Sequence, residues 1–142
     1  GGGLCGEPAT GEILDCNHPN GEIFEPPYLF NPDGSLATRP VIQTAPTSTG
    51  YGQQFRVTVT GLNDGSSISK FSMIKLSAVT HSINTDVRYL EYSTEKGNLS
   101  GSGNSYQLTT TDNENILTPG YYFLFAINDK GVPSVSKIVQ VL

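Results

Sequence analysis

The segment Thr80-His81-Ser82-Ile83-Asn84 contains the side chain best placed to do chemistry, the imidazole of His81. It follows an apolar run, 71–79, that predicts a β-strand. Imidazole nitrogen is a preferred ligand of copper(II), and a ligand in the loop after a strand can project beyond the sheet. The alternative is a solvent-exposed loop histidine without a role, and spacing alone favours that plainer interpretation.

Small polar residues flank His81 and could fix its ring or its turn, namely Ser82, Asn84 and Thr85. Asp86 and Arg88 follow. They could pair and hold the loop, or they could be ordinary surface charges.

Cys5 and Cys16 are the only cysteines, and ten residues separate them. The even number and a composition typical of secreted proteins predict one disulfide. A zinc or copper site with the neighbouring His18 is the alternative, although the close Cys-x-x-Cys spacing is missing. Two free thiols are the third possibility.

Composition narrows the class of protein. The net charge is −5, from 8 basic and 13 acidic side chains, and the basic residues are scattered, so a nucleic-acid partner is not expected. No apolar run reaches 18 residues, which argues against a membrane-spanning helix. Only 15% of residues are charged, which favours a secreted, extracellular β protein. The start at Gly1-Gly2-Gly3, without methionine, leads us to expect a processed or cut chain.

Apolar residues alternate with period two, and no segment keeps a helical period. Residues 1–37 are rich in Pro, Gly and Asn and predict loops. Residues 97–103 predict a flexible turn. Strand-like runs occupy residues 40–43, 55–59, 71–79, 87–92, 106–110, 121–127 and 135–142. About seven strands predict an all-β, immunoglobulin-like sandwich over residues 38–142, although the Cys…Trp…Cys pattern of antibody domains is absent.

Three segments occur in a specific order: Leu36-Ala37-Thr38-Arg39-Pro40, then residues 80–88, then residues 119–135. Together they resemble the C-terminal domain of galactose oxidase and its kelch-type copper-radical relatives, including glyoxal and alcohol oxidases. The resemblance extends over residues 1–142. It implies an early-set immunoglobulin-like β-sandwich, with residues 1–37 leaving a preceding β-propeller that this chain does not contain.

The resemblance also implies a function. His81 would be a copper ligand that reaches into an active site built mostly by the propeller, which would also hold the tyrosyl radical. The reaction would oxidise primary alcohols, aldehydes or carbohydrates while O₂ is reduced to H₂O₂. No catalytic residue is expected in this chain beyond His81, so the chain alone is predicted to be inactive.

Other residues receive structural roles from the same resemblance. Cys5 and Cys16 match a structural cysteine pair, although the pair is closer together in the family. His18 is expected to brace its loop. Tyr121 and Tyr122 are not assigned to the catalytic tyrosines, which the resemblance places in the propeller. Because they lie in an apolar run that predicts a central strand, they are expected to pack in the core with satisfied hydroxyls. Asn98-Leu99-Ser100 is an N-glycosylation sequon.

A function from another class competes with the copper enzyme. The chain could be a non-catalytic β-sandwich that binds carbohydrate or acts as a spacer. Exposed aromatic platforms would favour that alternative, but most aromatic residues fall on positions that alternate into a core.

Overall fold

The computed structural model describes residues 21–142. They form one short 3₁₀ helix, Pro27–Leu29, and eleven β-strands. The strands are β1 (Val41–Thr44), β2 (Ser48–Thr49), β3 (Gln54–Thr60), β4 (Ile68–Lys75), β5 (Val79–Thr80), β6 (Ile83–Asn84), β7 (Tyr89–Tyr92), β8 (Leu99–Ser102), β9 (Ser105–Thr109), β10 (Gly120–Asn128) and β11 (Lys137–Val141).

Two sheets form a sandwich. One has four strands in the order β1-β3-β9-β8, and the other has five in the order β2-β11-β10-β4-β7. Strand pairs are antiparallel, except that β2 runs parallel to β11. Strands β5 and β6 form a separate hairpin between β4 and β7. The predicted all-β, immunoglobulin-like architecture is confirmed.

The core lies between the sheets, because alternate residues of each strand point inward. In β10, Tyr122, Leu124 and Ala126 are buried while the residues between them face outward. Two edge-to-face aromatic pairs join the sheets, Phe71 with Tyr106 and Phe55 with Tyr92. The fully buried apolar residues are Val57, Val59, Phe71, Met73, Leu108, Leu117, Tyr122, Leu124, Ala126 and Val139.

Two predictions about strand limits are wrong. The predicted strand 71–79 ends at Lys75, and Val79 belongs instead to the β5–β6 hairpin. The predicted flexible turn 97–103 contains β8, which pairs with β9 and buries Leu99. Counting only strands of four or more residues, the described chain has eight, against about seven predicted.

The segment before β1 is held to the sandwich by Arg39. Its Nε donates a hydrogen bond to the Pro133 carbonyl at 2.8 Å, and its Nη2 donates to the Ser134 carbonyl at 2.8 Å. Two of the three segments that carry the family resemblance are therefore in direct contact.

Several sequence predictions lie outside the described residues. These are the Cys5–Cys16 disulfide, the role of His18 and the path of the opening glycines. Within residues 21–142, no helix is long and apolar enough to span a bilayer.

Candidate functional site

His81 lies at the tip of the β5–β6 hairpin. Strand residues Val79 and Thr80 pair with Asn84 and Ile83, which leaves His81 and Ser82 as a two-residue turn. Such turns need a positive φ at one or both central residues to match the twist of the strands. His81 has φ of 55°, and it is the one non-glycine residue with positive φ in the described part of the chain.

This backbone conformation disfavours any residue with a Cβ by roughly 1–2 kcal/mol. Glycine or asparagine is the usual choice in such turns. A histidine kept at a strained and exposed position, where it adds nothing to the core, points to a role for its ring.

The His81 ring is oriented by its neighbour. Its Nδ1 lies 2.9 Å from the Thr80 hydroxyl. When Nδ1–H donates to that hydroxyl, the lone pair of Nε2 is available for a metal ion, which is the arrangement that metal-binding histidines use. The residue as a whole is exposed.

The base of the hairpin is closed by two kinds of contact. The backbone N–H and the hydroxyl of Thr85 both donate to the Ala78 carbonyl at 3.1 Å. Beyond it, the Asp86 carboxylate lies 2.7 Å from the Lys75 ammonium. That hydrogen bond lowers the pKa of the Asp86 carboxyl below its ordinary value. The alternative of an Asp86–Arg88 pair is wrong, because the Arg88 Nη1 donates instead to the Val87 carbonyl.

One histidine does not make a complete metal site. Within residues 21–142, no three His, Cys, Asp or Glu side chains lie close enough together to hold a metal ion. A metal ion bound by His81 would therefore need its other ligands from outside the described residues.

The hairpin and its base carry apolar side chains that are exposed. Val79 is 71% exposed and Ile83 is 60% exposed. Leu76 and Val87, at the hairpin base, are also exposed. Neighbouring exposed apolar side chains of this kind are typical of contact surfaces. This surface was not predicted, although the apolar residues on both sides of His81 indicate it in the sequence.

The two tyrosines of β10 have different environments. Tyr122 is fully buried and its hydroxyl donates to the Thr118 carbonyl at 2.7 Å, which confirms the predicted core role. The same prediction is wrong for Tyr121, which is half exposed. The reason is alternation, since neighbouring residues of a strand face opposite sides of the sheet.

Asn98 of the sequon has a structural role. Its Nδ2 donates to the Glu91 carbonyl at 2.9 Å, and its Oδ1 accepts from the Ser93 N–H at 2.9 Å. The amide nitrogen that a glycan would modify is thus part of the connection between β7 and β8.

Taken together, the described residues form an early-set β-sandwich with a histidine-tipped hairpin. A family model for the galactose oxidase-like, early set domain matches residues 39–141. The chain therefore belongs to the galactose oxidase-like early set domain family.

Individual relatives are similar to this chain over a longer stretch than the family model covers. A galactose oxidase of Gibberella zeae is 41% identical over 143 residues, covering 99% of this chain and 19% of that protein. Aldehyde oxidase GLOX1 of Arabidopsis thaliana is 30% identical over 124 residues, covering 85% of this chain and 20% of that protein. The chain thus spans about a fifth of these relatives.

Among solved structures, a fungal alcohol oxidase of the AA5 family in complex with copper superposes with a TM-score of 0.69. It is 36% identical, and the match covers 82% of this chain and 23% of that one. The fold and a large part of the sequence are therefore shared with a copper-bound oxidase.

Proposed function

We propose that this chain is the C-terminal domain of a longer copper-radical oxidase and that His81 supplies one ligand to its copper ion. The observation that carries the proposal is the strained, exposed His81, whose Nδ1 is engaged by Thr80. The 41% identity to a galactose oxidase along nearly the whole chain supports it.

The residues of this chain fit a supporting part in that chemistry. Copper, together with a tyrosyl radical in the preceding domain, would supply the oxidation of a primary alcohol, aldehyde or carbohydrate while O₂ is reduced to H₂O₂. The Nε2 atom of His81 would bind the metal, and the contact of Thr80 with Nδ1 would orient the ring. The stem contacts would keep the hairpin extended.

A preceding β-propeller is the proposed partner, and residues 1–37 would lead from it into the sandwich at 38–142. The exposed Val79 and Ile83 support this arrangement, because a hairpin that inserts into another domain buries its apolar side chains there. The relatives' greater length leaves ample chain for that domain.

Replacing His81 with alanine in the full-length protein tests the ligand. We expect copper content and turnover to fall by roughly 100-fold or more, since removal of even an outer-shell partner typically costs 10–100-fold. The melting temperature should hardly change, because the side chain makes few core contacts. Ser82→Ala, in the same turn, is the matched control and should retain activity.

Two results would contradict the proposal. Near-normal copper content and turnover in His81→Ala would show that His81 is not a copper ligand, and would favour a non-catalytic role for this domain within the parent protein. Turnover by the 142-residue chain alone, above a free-copper control, would show that the remaining ligands are not in another domain.

Secretion and the Cys5–Cys16 disulfide are further parts of this proposal. By lowering the conformational entropy of the unfolded chain, the disulfide would raise the free energy of unfolding by roughly 2–3 kcal/mol. Intact mass before and after reduction should differ by two hydrogens. Two thiols that alkylate without reductant would disprove the link.

A further inference from the structure

Lys75 is a nearly buried cation at the point where the chain leaves the sandwich for the hairpin. It is the last residue of β4, and its side chain is only 11% exposed. Burial of an ammonium group is unfavourable unless the charge is paired and hydrogen-bonded. Its position therefore requires partners, and the structure supplies two.

The two partners come from different segments of the chain. Lys75 Nζ lies 2.7 Å from Asp86 Oδ2, where the hairpin returns, and donates to Thr118 Oγ1 at 2.8 Å, just before β10. A backbone hydrogen bond also joins the end of β4 to the returning arm of the hairpin, since the Lys75 N–H donates to the Arg88 carbonyl at 3.0 Å. The Lys75 ammonium thus joins the returning arm of the hairpin to the central strand region.

The contact continues into the core. The carbonyl of Thr118 accepts a hydrogen bond from the fully buried Tyr122 hydroxyl at 2.7 Å. Asp86, Lys75, Thr118 and Tyr122 therefore form one connected path from the hairpin base to a rigid part of the sandwich.

Glycine at position 120 makes room for this lysine. A Cβ added at Gly120 would lie 3.1 Å from Lys75 Cε, and the φ of 138° already disfavours other residues. With any other residue at position 120, the Lys75 side chain would have to shift by a few tenths of an ångström, so Gly120 favours the observed position of Lys75.

The hairpin needs such support because it has little of its own. Its strands are two residues long, and isolated two-stranded hairpins are marginally stable in water. Its apolar residues Val79 and Ile83 are largely exposed, so they bury little surface. The direction in which His81 points then depends on the stem.

We propose that Lys75 is a positioning residue for His81, acting through its ion pair with Asp86 and its hydrogen bond to Thr118. It does not touch the metal. It holds the hairpin at a fixed angle to the sandwich, so that the imidazole is presented in one direction. This inference rests on the proposed copper-binding role of His81 for its purpose, but the order of the hairpin is measurable without copper.

The first test uses backbone ¹⁵N relaxation on the 142-residue chain. Methionine has a side chain of similar length to lysine but carries no charge. In Lys75→Met, the amide order parameters of residues 79–84 should fall from about 0.85 to below about 0.6. The matched control is Lys130→Met, which removes the Lys130–Asp64 ion pair between loops at the other end of the strands. The control should leave the hairpin unchanged.

Asp86→Asn is the second variant, because a half-exposed residue can be replaced without threatening the fold. It should loosen residues 79–84 in the same way while core amides stay ordered. Hairpin amides that remain rigid in Asp86→Asn would overturn the inference, whatever Lys75→Met does. Loosening that is equal in Lys130→Met would also overturn it.

A copper readout in the full-length protein separates this inference from the proposed function. Lys75→Met should alter the copper EPR spectrum and lower kcat while KM is retained, and Lys130→Met should do neither. If copper binds normally to His81→Ala, the proposed function fails, yet the relaxation result still decides whether Lys75 orders the hairpin. An unchanged EPR spectrum in Lys75→Met, with copper bound through His81, would overturn the positioning role.

Discussion

His81 combines three properties that seldom occur in one residue: a positive φ, an exposed ring and a hydrogen bond from the ring to the preceding residue. None of them contributes to the stability of the sandwich. The first opposes it, since an L-residue with a Cβ is strained in this region. Stability and the proposed ligand role therefore favour different residues at the same position.

Replacement of His81 with glycine should separate the effect of this position on stability from its proposed role as a ligand. Glycine adopts a positive φ without a Cβ clash, so we expect the free energy of unfolding to rise by about 1 kcal/mol. His81→Ala keeps the strain and should be close to the original chain. Urea denaturation of the three chains measures the differences. A less stable His81→Gly chain would show that the ring contributes more packing than its exposure indicates.

At the scale of elements, the β8–β9 hairpin shows how glycine allows a strand where the sequence suggests a loop. Gly101 has φ of 100°, and a Cβ there would collide with the backbone of Ser105. Gly103 also has a positive φ, of 63°, but an added Cβ would meet nothing within 4 Å. Gly103 lies in the turn, whereas Gly101 lies within β8 and permits close contact between the two strands.

Alanine at these two positions should therefore have unequal effects. Gly103→Ala suffers from backbone strain alone, about 1 kcal/mol. Gly101→Ala adds an overpacking cost of roughly 1–3 kcal/mol and should disturb the pairing of β8 with β9. Thermal melts of both variants, with amide exchange of β8, measure this. Equal destabilisation would mean that the strands separate at no cost.

At the scale of the whole molecule, the three segments that resemble the family are tied together by side chains. Arg39 of the first segment donates to the Pro133 and Ser134 carbonyls of the third. Lys75 connects Asp86 of the second segment with Thr118, next to the third. The segments are far apart in sequence, but these side chains link each of them to another part of the sandwich.

Ion pairs at both ends of the sandwich predict a loss of stability in acid. Hydrogen bonds from Lys130 to Asp64 and from Lys75 to Asp86 hold both carboxyl pKa values below their ordinary value of 3.8. A lowered pKa in the folded state favours the folded, deprotonated form. Its contribution is therefore full above pH 3.8 and is lost as the pH falls from there toward the folded-state value.

The measurement is the urea midpoint near neutral pH and at about pH 3. We expect the midpoint to fall in acid, and to fall less in the double variant Asp64→Asn with Asp86→Asn, which has no such carboxylates to protonate. The same fall in both chains would assign the acid sensitivity to other groups.

The amino-acid sequence by itself determined most of the sandwich. Alternation is a local property, and in residues 55–59 and 106–110 it marks which side chains face the core whatever strand lies beside them. The spacing around His81 by itself favoured an exposed histidine without a role, and it was the resemblance of residues 80–88 to the family that marked His81 as a candidate ligand.

Only the tertiary structure decided the rest. The break after Lys75, the strand β8 and the exposure of Tyr121 depend on which strands pair, and those partners lie far away along the chain. The same holds for Lys75, whose charge looks like any surface lysine in the sequence. Asp86 and Thr118 lie 11 and 43 residues further along the chain. Folding brings the Lys75, Asp86 and Thr118 side chains together in one partly buried space. An unpaired charge there would be costly, and this is why Lys75 binds both partners.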